Sequence, residues 1–289
     1  MSTTMFSENG CGLEKAMPFE ASAEFSIQIP PLKRKGSRTA QCRIWSNIYE
    51  VCEILNLPCE NQGTEVKQIF QHLQFKTGQR IHAIGQAFDT FYVVNSGFLK
   101  TVLLDDSGNE QVLSFPMKGD ILGIDSIHTK FYSSEAVALS DCNLILVPFN
   151  ALIDLGRRKV EFEKIMYNLL SRELLRKQAM VSLLCAQKAD ARVARFLMYL
   201  SEKFHEMGYS RSMFSLRMTR QEIGSYLGLS LETVSRAMSA LKAVGMIGVE
   251  QRSIRINEGD VFKAICNMSA QRPRTTSIES CKDAKVDAV

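Results

Sequence analysis

The sequence predicts an α+β fold in which an antiparallel β-roll is followed by a long helix and a winged helix-turn-helix. Three observations support this prediction. Short apolar runs separated by glycine turns extend from Phe75 to Val147, as in a small antiparallel barrel or roll. An apolar stripe at helical spacing runs from about Glu161 to Gln187. Two short helical patterns then meet at Gly228, and a hairpin pattern follows them.

Length and composition are those of a soluble globular protein. The 289 residues are enough for about two domains, each with a core of its own. No apolar run approaches the roughly 18 residues that span a bilayer, and the N-terminus lacks the apolar segment of a signal peptide. Eight cysteines are scattered along the chain, which argues against a disulfide framework. We therefore expect a cytoplasmic protein without membrane contact.

The positive charge is concentrated in one segment. Residues 188–257 contain 11 Lys and Arg against 6 Asp and Glu, a balance of +5, whereas the rest of the chain has 24 against 25. Release of counterions from DNA phosphates favours binding of such a basic segment. A solvated charged surface would give the same balance, so charge alone does not identify the partner.

The predicted structure of the first part of the chain rests on a pair of prolines and on the spacing of apolar residues. Residues 1–40 contain the Pro30-Pro31 break and the basic run Lys33–Lys35, and we expect a mobile arm there. Residues 41–73 carry apolar side chains at i, i+3 and i+4, which is typical of a helix. Beyond them, strands are expected over 91–94, 98–104, 111–115, 136–139 and 144–147.

The stripe on the long helix has two interpretations. Its apolar side chains are Phe162, Met166, Leu169, Leu170, Leu174, Met180, Val181 and Leu184, interrupted by Lys177. Such a stripe can pack on the protein's own β-roll. The length of the helix and the charges that flank the stripe favour a coiled coil between two chains.

The segment Met218–Arg236 predicts a reader of DNA sequence. Its apolar residues recur at a spacing that buries one face of each helix, and Gly228 permits the tight turn between the helices. Ser230 supplies an N-cap oxygen for the second helix. The residues left on the outer face of that helix are Leu231, Glu232, Ser235 and Arg236. Carboxylate, hydroxyl and guanidinium groups are the ones that bond base edges in the major groove.

The order of these parts resembles the CRP/FNR family of bacterial transcription regulators. The likeness covers roughly residues 70–258 and includes Gly78, the Asn95–Gly97 turn, Gly108, Gly119-Asp120, Val147–Phe149 and above all residues 218–236. The pattern Glu232-x-x-Ser235-Arg236 is similar to the FNR branch, whereas the cAMP-receptor type carries Arg at the position of Leu231.

The resemblance implies a division of the chain and a dimer. The β-roll is then of the cyclic-nucleotide-binding-like kind. The implied segments are a mobile arm over 1–40, a sensor roll with its preceding helix over 41–156, a dimerisation helix over 157–187, a winged helix-turn-helix DNA-binding domain over 188–258 and a mostly disordered extension over 259–289. A homodimer would place two recognition helices in successive major grooves, about 34 Å apart.

The resemblance also implies a DNA site and partners. The site is a palindrome of the form TTGAT-N4-ATCAA. Glu232 and Arg236 would read the G·C pair, Ser235 would contact thymine, and Leu231 would touch a thymine methyl group. Phosphate contacts are expected from Thr219, Arg220 and Gln221, although Arg220 could equally form a surface ion pair. The regulator would act as an activator with RNA polymerase, in gene control linked to anaerobiosis, nitrogen oxides or redox state.

The signal is far less defined. A cyclic nucleotide is not expected, because an Arg-Ser or Arg-Thr pair for its phosphate is missing and Glu135 would repel that phosphate. In the FNR branch, three N-terminal cysteines at C-x2-C-x5-C spacing and one in the roll bind a [4Fe–4S] cluster. The candidate ligands here are Cys42, Cys52, Cys59 and Cys142, but nine and six residues separate the first three. We do not favour the cluster; a redox-active cysteine, a haem, an organic ligand or no ligand stay open.

Other classes of function are weaker. No Ser-His-Asp set, H-E-x-x-H or P-loop stands in a recognisable context, so an enzyme is not expected. The alternative to a gene regulator is a non-catalytic small-ligand-binding module whose helical domain contacts protein or RNA. That alternative predicts weak DNA binding that depends on salt but not on sequence.

Overall fold

The computed structural model describes residues 45–57, 69–104, 108–158, 160–185 and 188–257. The expected N-terminal arm over 1–40 and the C-terminal extension over 259–289 lie outside the described residues, as do Cys42 and Cys59. In the part that is described, no helix combines the length and the apolar character needed to cross a membrane.

The β-roll consists of two antiparallel sheets. The first has five strands in the order β1 (Trp45–Asn47), β2 (Ile69–Phe75), β9 (Cys142–Pro148), β4 (Thr90–Ser96) and β7 (Ile121–Leu122). The second has four, in the order β3 (Arg80–His82), β8 (Glu135–Ala138), β5 (Leu99–Leu104) and β6 (Glu110–Ser114). Val94 and Leu144 of the first sheet and Leu99 of the second are fully buried in one shared cluster, whereas Phe91 and Val93 are buried against the helices. The predicted roll is confirmed.

The helix predicted over 41–73 is wrong for most of the residues of that range that the structure describes. Trp45–Asn47 is a strand, the helix α1 covers only Ile48–Ile54, and β2 begins at Ile69. The reason is a capping box: the Asn47 side chain accepts from Glu50 N at 3.0 Å, and the Glu50 carboxylate accepts from Asn47 N at 3.1 Å. This pair of bonds starts a helix at Ile48 and leaves the preceding residues to pair with β2.

Two helices follow the roll where one was predicted. The helix α2 covers Phe149–Arg158, and α3 covers Val160–Leu184. On α3 the apolar stripe divides between two surfaces. Phe162, Ile165 and Leu169 are buried against the roll, as the first interpretation predicts. A second set faces outward and is exposed, namely Tyr167, Leu170, Leu174, Leu175 and Val181.

The C-terminal part is a winged helix-turn-helix, as predicted. It contains α4 (Ala189–Glu206), β10 (Met213–Ser215), α5 (Arg220–Leu227), α6 (Leu231–Ala243), β11 (Ile247–Glu250) and β12 (Ser253–Ile256). The last two strands pair as the wing, and β12 also pairs with β10. The helices α4, α5 and α6 enclose a core that includes Val193, Ile223 and Val234, all with no exposed surface.

The core of this domain is not separate from the roll. Val102, Val112, Phe115 and Met117 of the roll belong to the same buried cluster as the helices α4–α6. The Phe115 ring lies 6.0 Å from the Phe196 ring and 5.2 Å from the Tyr226 ring. The expectation of two separate cores is therefore wrong, because these apolar side chains of the roll and the helices of the DNA-binding domain form one buried cluster.

Candidate nucleic-acid interface

The first helix of the motif, α5, is fixed at its start by a capping box. The Thr219 hydroxyl accepts from Glu222 N at 3.1 Å, and the Glu222 carboxylate accepts from Thr219 N at 2.7 Å. Gly224 lies on the face turned to the following helix, where an added Cβ would stand 2.5 Å from the Leu229 carbonyl oxygen. A residue without a side chain is thus required for the close approach of the turn to α5.

The turn and the second helix follow the sequence prediction. Gly228 ends α5 with a φ of 64°, in the left-handed region that glycine adopts without strain. The Ser230 hydroxyl then accepts from Thr233 N at 3.2 Å and caps α6. Local chemistry therefore determines both ends of the turn.

The helix α6 has a buried face and an exposed face. Val234, Ala237, Met238 and Leu241 are buried in the domain core. Three of the predicted base-reading residues, Leu231, Glu232 and Arg236, are exposed, and the fourth, Ser235, is partly exposed. The structure thus brings the four predicted residues together on one accessible surface in the first turns of the helix.

The polar groups on this surface suit recognition of a G·C pair. The pKa of Glu232 is lowered because its carboxylate accepts from its own backbone N–H, with smaller effects of the Ser230 hydroxyl and of Arg236. An ionised carboxylate accepts from cytosine N4. Among the described residues, the Arg236 guanidinium has a single long hydrogen bond, 3.4 Å, to the Thr233 hydroxyl. Its remaining N–H groups can donate to guanine.

The predicted phosphate-binding residues lie at the N-terminus of α5, but they differ in how freely their polar groups can contact a phosphate. Gln221 is exposed. The Thr219 hydroxyl donates to the Glu222 carboxylate at 3.0 Å, so the cap already engages it. Arg220 is half-buried, and burial lowers its pKa; its Nη1 atom is shielded from solvent and has no hydrogen-bond partner in the part of the chain that the structure describes. A phosphate would have to bind the other N–H groups of Arg220.

Sequence reasoning missed basic residues on the wing. Arg252 lies in the hairpin turn and Arg255 on β12, and both are exposed. The preceding Gln251 has a φ of 53°, which shapes the turn. Arginines in a hairpin that follows a recognition helix are a signal that the sequence alone could have supplied.

Comparison with known proteins agrees with this architecture. The sequence profile of the Crp-like helix-turn-helix domain matches residues 191–265, and that of the cyclic nucleotide-binding domain matches residues 72–159. The transcriptional activator protein Anr of Pseudomonas protegens is 33% identical over 226 residues, which are 78% of this chain and 92% of the relative. The chain belongs to the CRP/FNR family of transcription regulators.

A further relative and a solved structure are also similar to this CRP/FNR regulator. The fumarate and nitrate reduction regulatory protein of Salmonella typhi is 34% identical over 188 residues, 65% of this chain and 75% of the relative. Among solved structures, FixK2 from Bradyrhizobium japonicum has a TM-score of 0.63 at 26% identity, covering 68% of this chain and 98% of FixK2. The family is one of DNA-binding regulators rather than enzymes, in agreement with the sequence prediction.

A cavity of this CRP/FNR regulator has an acidic residue in the wall that the roll supplies. A cavity of about 680 Å³ lies between the roll and α3, and its roll wall includes His82, Gly123 and Asp125. The Asp125 carboxylate accepts from the Ser133 hydroxyl at 2.7 Å, so a negative group stands in this wall. The Glu135 carboxylate that was expected to repel a phosphate is paired with Arg80 at 2.8 Å. The basic residues that line the cavity come from α3 and α4, away from the roll wall.

An aromatic stack occupies the inside of the roll next to this cavity. The His82 ring is stacked on the Tyr132 ring at 4.0 Å, and Tyr132 meets the Phe88 ring edge-on at 5.5 Å. Burial lowers the pKa of His82 to about 4, although the Asp125 charge opposes the shift. His82 is therefore neutral at pH 7, and the stack places no positive charge beside the cavity.

The two described candidate cysteines are in different places in the core. Cys52 on α1 packs with Ile48 and Val51, whereas Cys142 on β9 belongs to a separate cluster. The Cys142 thiol donates to the Ser140 carbonyl oxygen at 3.0 Å, and burial raises its pKa, which disfavours the thiolate that binds metals. Among the described residues, no group of three or more ligating side chains could hold a metal ion.

Proposed function

We propose that this CRP/FNR regulator acts as a homodimeric activator that reads a TTGAT-N4-ATCAA palindrome. The observation that carries the proposal is the exposed face of α6, which contains Leu231, Glu232, Ser235 and Arg236. The opposite face of this helix is buried in the domain core, and Ser230 caps its N-terminus. The proposed division assigns sensing to residues 41–156, dimerisation to 157–187 and DNA binding to 188–258.

The exposed side of α3 supports the homodimer. Tyr167, Leu170, Leu174 and Val181 are at least 39% exposed, and they follow the alternating three- and four-residue spacing of a coiled-coil seam. Lys177 is exposed and stands between Leu174 and Val181 in the same spacing. A single polar residue in such a seam fixes the register of the two helices. A second copy of the chain would cover this seam.

The outer face of α6 is proposed to read the bases. Glu232 and Arg236 contact the G·C pair of each half-site, Ser235 contacts a thymine, and Leu231 touches a thymine methyl group. The N-terminus of α5, with Thr219, Arg220 and Gln221, contacts phosphates and positions the helix without adding sequence preference. The basic balance of residues 188–257 supports the phosphate contacts.

The biological role is taken from the relatives. Anr is named as a transcriptional activator, and the Salmonella typhi relative is named for fumarate and nitrate reduction. We therefore assign this chain to activation of genes for anaerobic or redox-linked metabolism, with RNA polymerase as its partner. The proposed function does not rely on a cyclic nucleotide, or on a cluster at Cys42, Cys52, Cys59 and Cys142. Iron and sulfide assays on protein purified without air test the cluster.

Footprinting and affinity measurements on the palindrome test the proposal. We expect a protected region centred on the palindrome, and a loss of about 1–3 kcal/mol of binding free energy for Glu232→Ala and for Arg236→Ala. Arg211→Ala serves as control, because Arg211 pairs with Glu202 outside α6. Weak binding that ignores sequence, or full affinity of both α6 variants, would instead support the ligand-binding module.

A further inference from the structure

One buried carboxylate joins the β-roll, the helix α3 and the DNA-binding domain. Asp120 follows Gly119 in the loop before β7 and is 7% exposed. Its Oδ2 atom accepts from Met117 N at 3.0 Å, as expected for a turn aspartate. Its Oδ1 atom lies 2.6 Å from Arg176 Nη2 on α3 and 3.2 Å from Lys203 Nζ on α4. A single oxygen thus bridges cations on two helices.

Asp120 is the acidic partner that the two cations share. Lys203 is 9% exposed, and its other acidic partner, Glu206, is 3.5 Å away and largely exposed. Arg176 also bonds to Glu173, three residues earlier on the same helix. Without Asp120, each cation would retain only a partner from its own helix, and no ion pair in this cluster would join α3 or α4 to the roll. A buried cation that loses its partner is strongly disfavoured where it stands.

The same loop is tied to the start of the roll. The Arg172 guanidinium on α3 donates to the Leu55 carbonyl oxygen after α1, and to the Gly119 carbonyl oxygen at 3.4 Å. The loop that contains Asp120 is therefore held against α3 from two sides. These bonds hold the loop against α3 in addition to its contact with α4.

The roll also contacts the DNA-binding domain through aromatic side chains, and polar contacts join it to α5: Lys100 pairs with Glu222 at 3.1 Å, and Val112 N donates to the Ser225 hydroxyl at 2.8 Å. Phe98 lies 5.6 Å from Phe204, and Phe115 packs on Phe196 and Tyr226. Contacts of this kind stabilise association but tolerate sliding and rotation, whereas an ion pair to a buried carboxylate has a defined distance and direction. The ion pair of Asp120 with Lys203 is a directional contact of the roll with α4, on which the recognition helix packs, whereas the polar contacts of β5 and β6 reach α5.

We propose that Asp120 is a positioning residue that sets the orientation of the DNA-binding domain relative to α3. Because α3 carries the proposed dimer seam, this orientation sets the spacing of the two recognition helices. The inference about spacing rests on the proposed homodimer, whereas the inference about orientation applies to a single chain.

The test variant is Asp120→Asn, which keeps an oxygen for Met117 N and removes the charge. Lys203→Met and the double variant examine whether the effect acts through this pair. Asp125→Asn is the matched control, because Asp125 is a carboxylate of the same roll that bonds to hydroxyl groups and has no ion pair among the described residues.

The first measurement is hydrogen exchange of the DNA-free protein. Val112 N donates to the Ser225 hydroxyl of α5 at 2.8 Å, so its exchange reports docking of the DNA-binding domain on β6. We expect exchange at this amide to rise at least tenfold in Asp120→Asn and in Lys203→Met, with no further rise in the double variant. Unchanged exchange in both single variants would overturn the inference.

The second measurement is discrimination between palindromes with spacers of four, five and six base pairs. The wild type should prefer the four-base-pair spacer, and Asp120→Asn should lose about tenfold of that preference while its affinity for a single half-site stays the same. A purely structural role would lower thermal stability with the spacer preference intact, and that result would overturn the inference about spacing. If exchange rises but the wild type shows no preference for the palindrome, the proposed function fails and the orienting role of Asp120 stands.

Discussion

Acidification should destabilise the β-roll through His82. The imidazole is 3% exposed, and neither ring nitrogen has a well-formed hydrogen bond to a described residue. Burial lowers the pKa of His82 from its ordinary 6.5 to about 4, against the opposing effect of Asp125. Between these two values the unfolded chain takes up a proton that the folded chain does not. The free energy of unfolding is therefore unaffected by His82 above pH 6.5 and decreases as the pH is lowered, by about 2 kcal/mol at pH 5 and about 3 kcal/mol at pH 4.

Urea unfolding followed by the fluorescence of Trp45 measures this effect. Trp45 is the single tryptophan of the chain and lies on β1 of the roll. His82→Phe keeps the stack on Tyr132 and removes the titration, so its stability should fall less between pH 7 and pH 5. His128→Gln is the control, because His128 is exposed. If His82→Phe loses as much stability as the wild type over this range, burial of His82 is not the cause.

Two further predictions concern the turn and the seam. Gly224→Ala should destabilise the DNA-binding domain by about 1–3 kcal/mol, because the added Cβ would clash with the Leu229 carbonyl oxygen. Gly156→Ala in α2 has no such close neighbour and should stabilise the chain by about 1 kcal/mol. Thermal unfolding compares the two variants, and equal changes in stability would contradict the packing argument. Leu174→Glu should give a folded monomer in sedimentation experiments, whereas Leu175→Glu, with the same exposure but outside the seam, should leave the dimer intact. If both variants remain dimeric, Leu174 does not lie in the dimer seam.

Local features of the fold could be predicted from the sequence. The turn between α5 and α6 follows from Gly228 and Ser230, whose roles require only neighbouring residues. The recognition surface follows from the spacing of buried residues on α6 alone. The described part of the helix predicted over 41–73 differs from the structure, because the spacing of apolar residues does not indicate a cap such as Asn47 or the pairing of β1 with β2.

Contacts between distant segments could not be predicted. Asp120 reads as an ordinary turn residue in the sequence, and its partner Lys203 follows 83 residues later on a helix that shows no special spacing. The stripe on α3 carried two interpretations because both surfaces of that helix are apolar, and the structure divides the stripe between them. The need for glycine at position 224 likewise depends on where the Leu229 carbonyl oxygen lies in three dimensions.

Base-specific recognition by α6 is the central claim, and one measurement tests it most directly. The equilibrium dissociation constants of the wild type and of Arg236→Ala are compared on the TTGAT-N4-ATCAA palindrome and on a derivative in which the G·C pair of each half-site is replaced by A·T. The wild type should discriminate against the derivative by about 1–3 kcal/mol for each half-site, and Arg236→Ala should bind both sequences with nearly equal affinity. Undiminished discrimination by Arg236→Ala would contradict the claim.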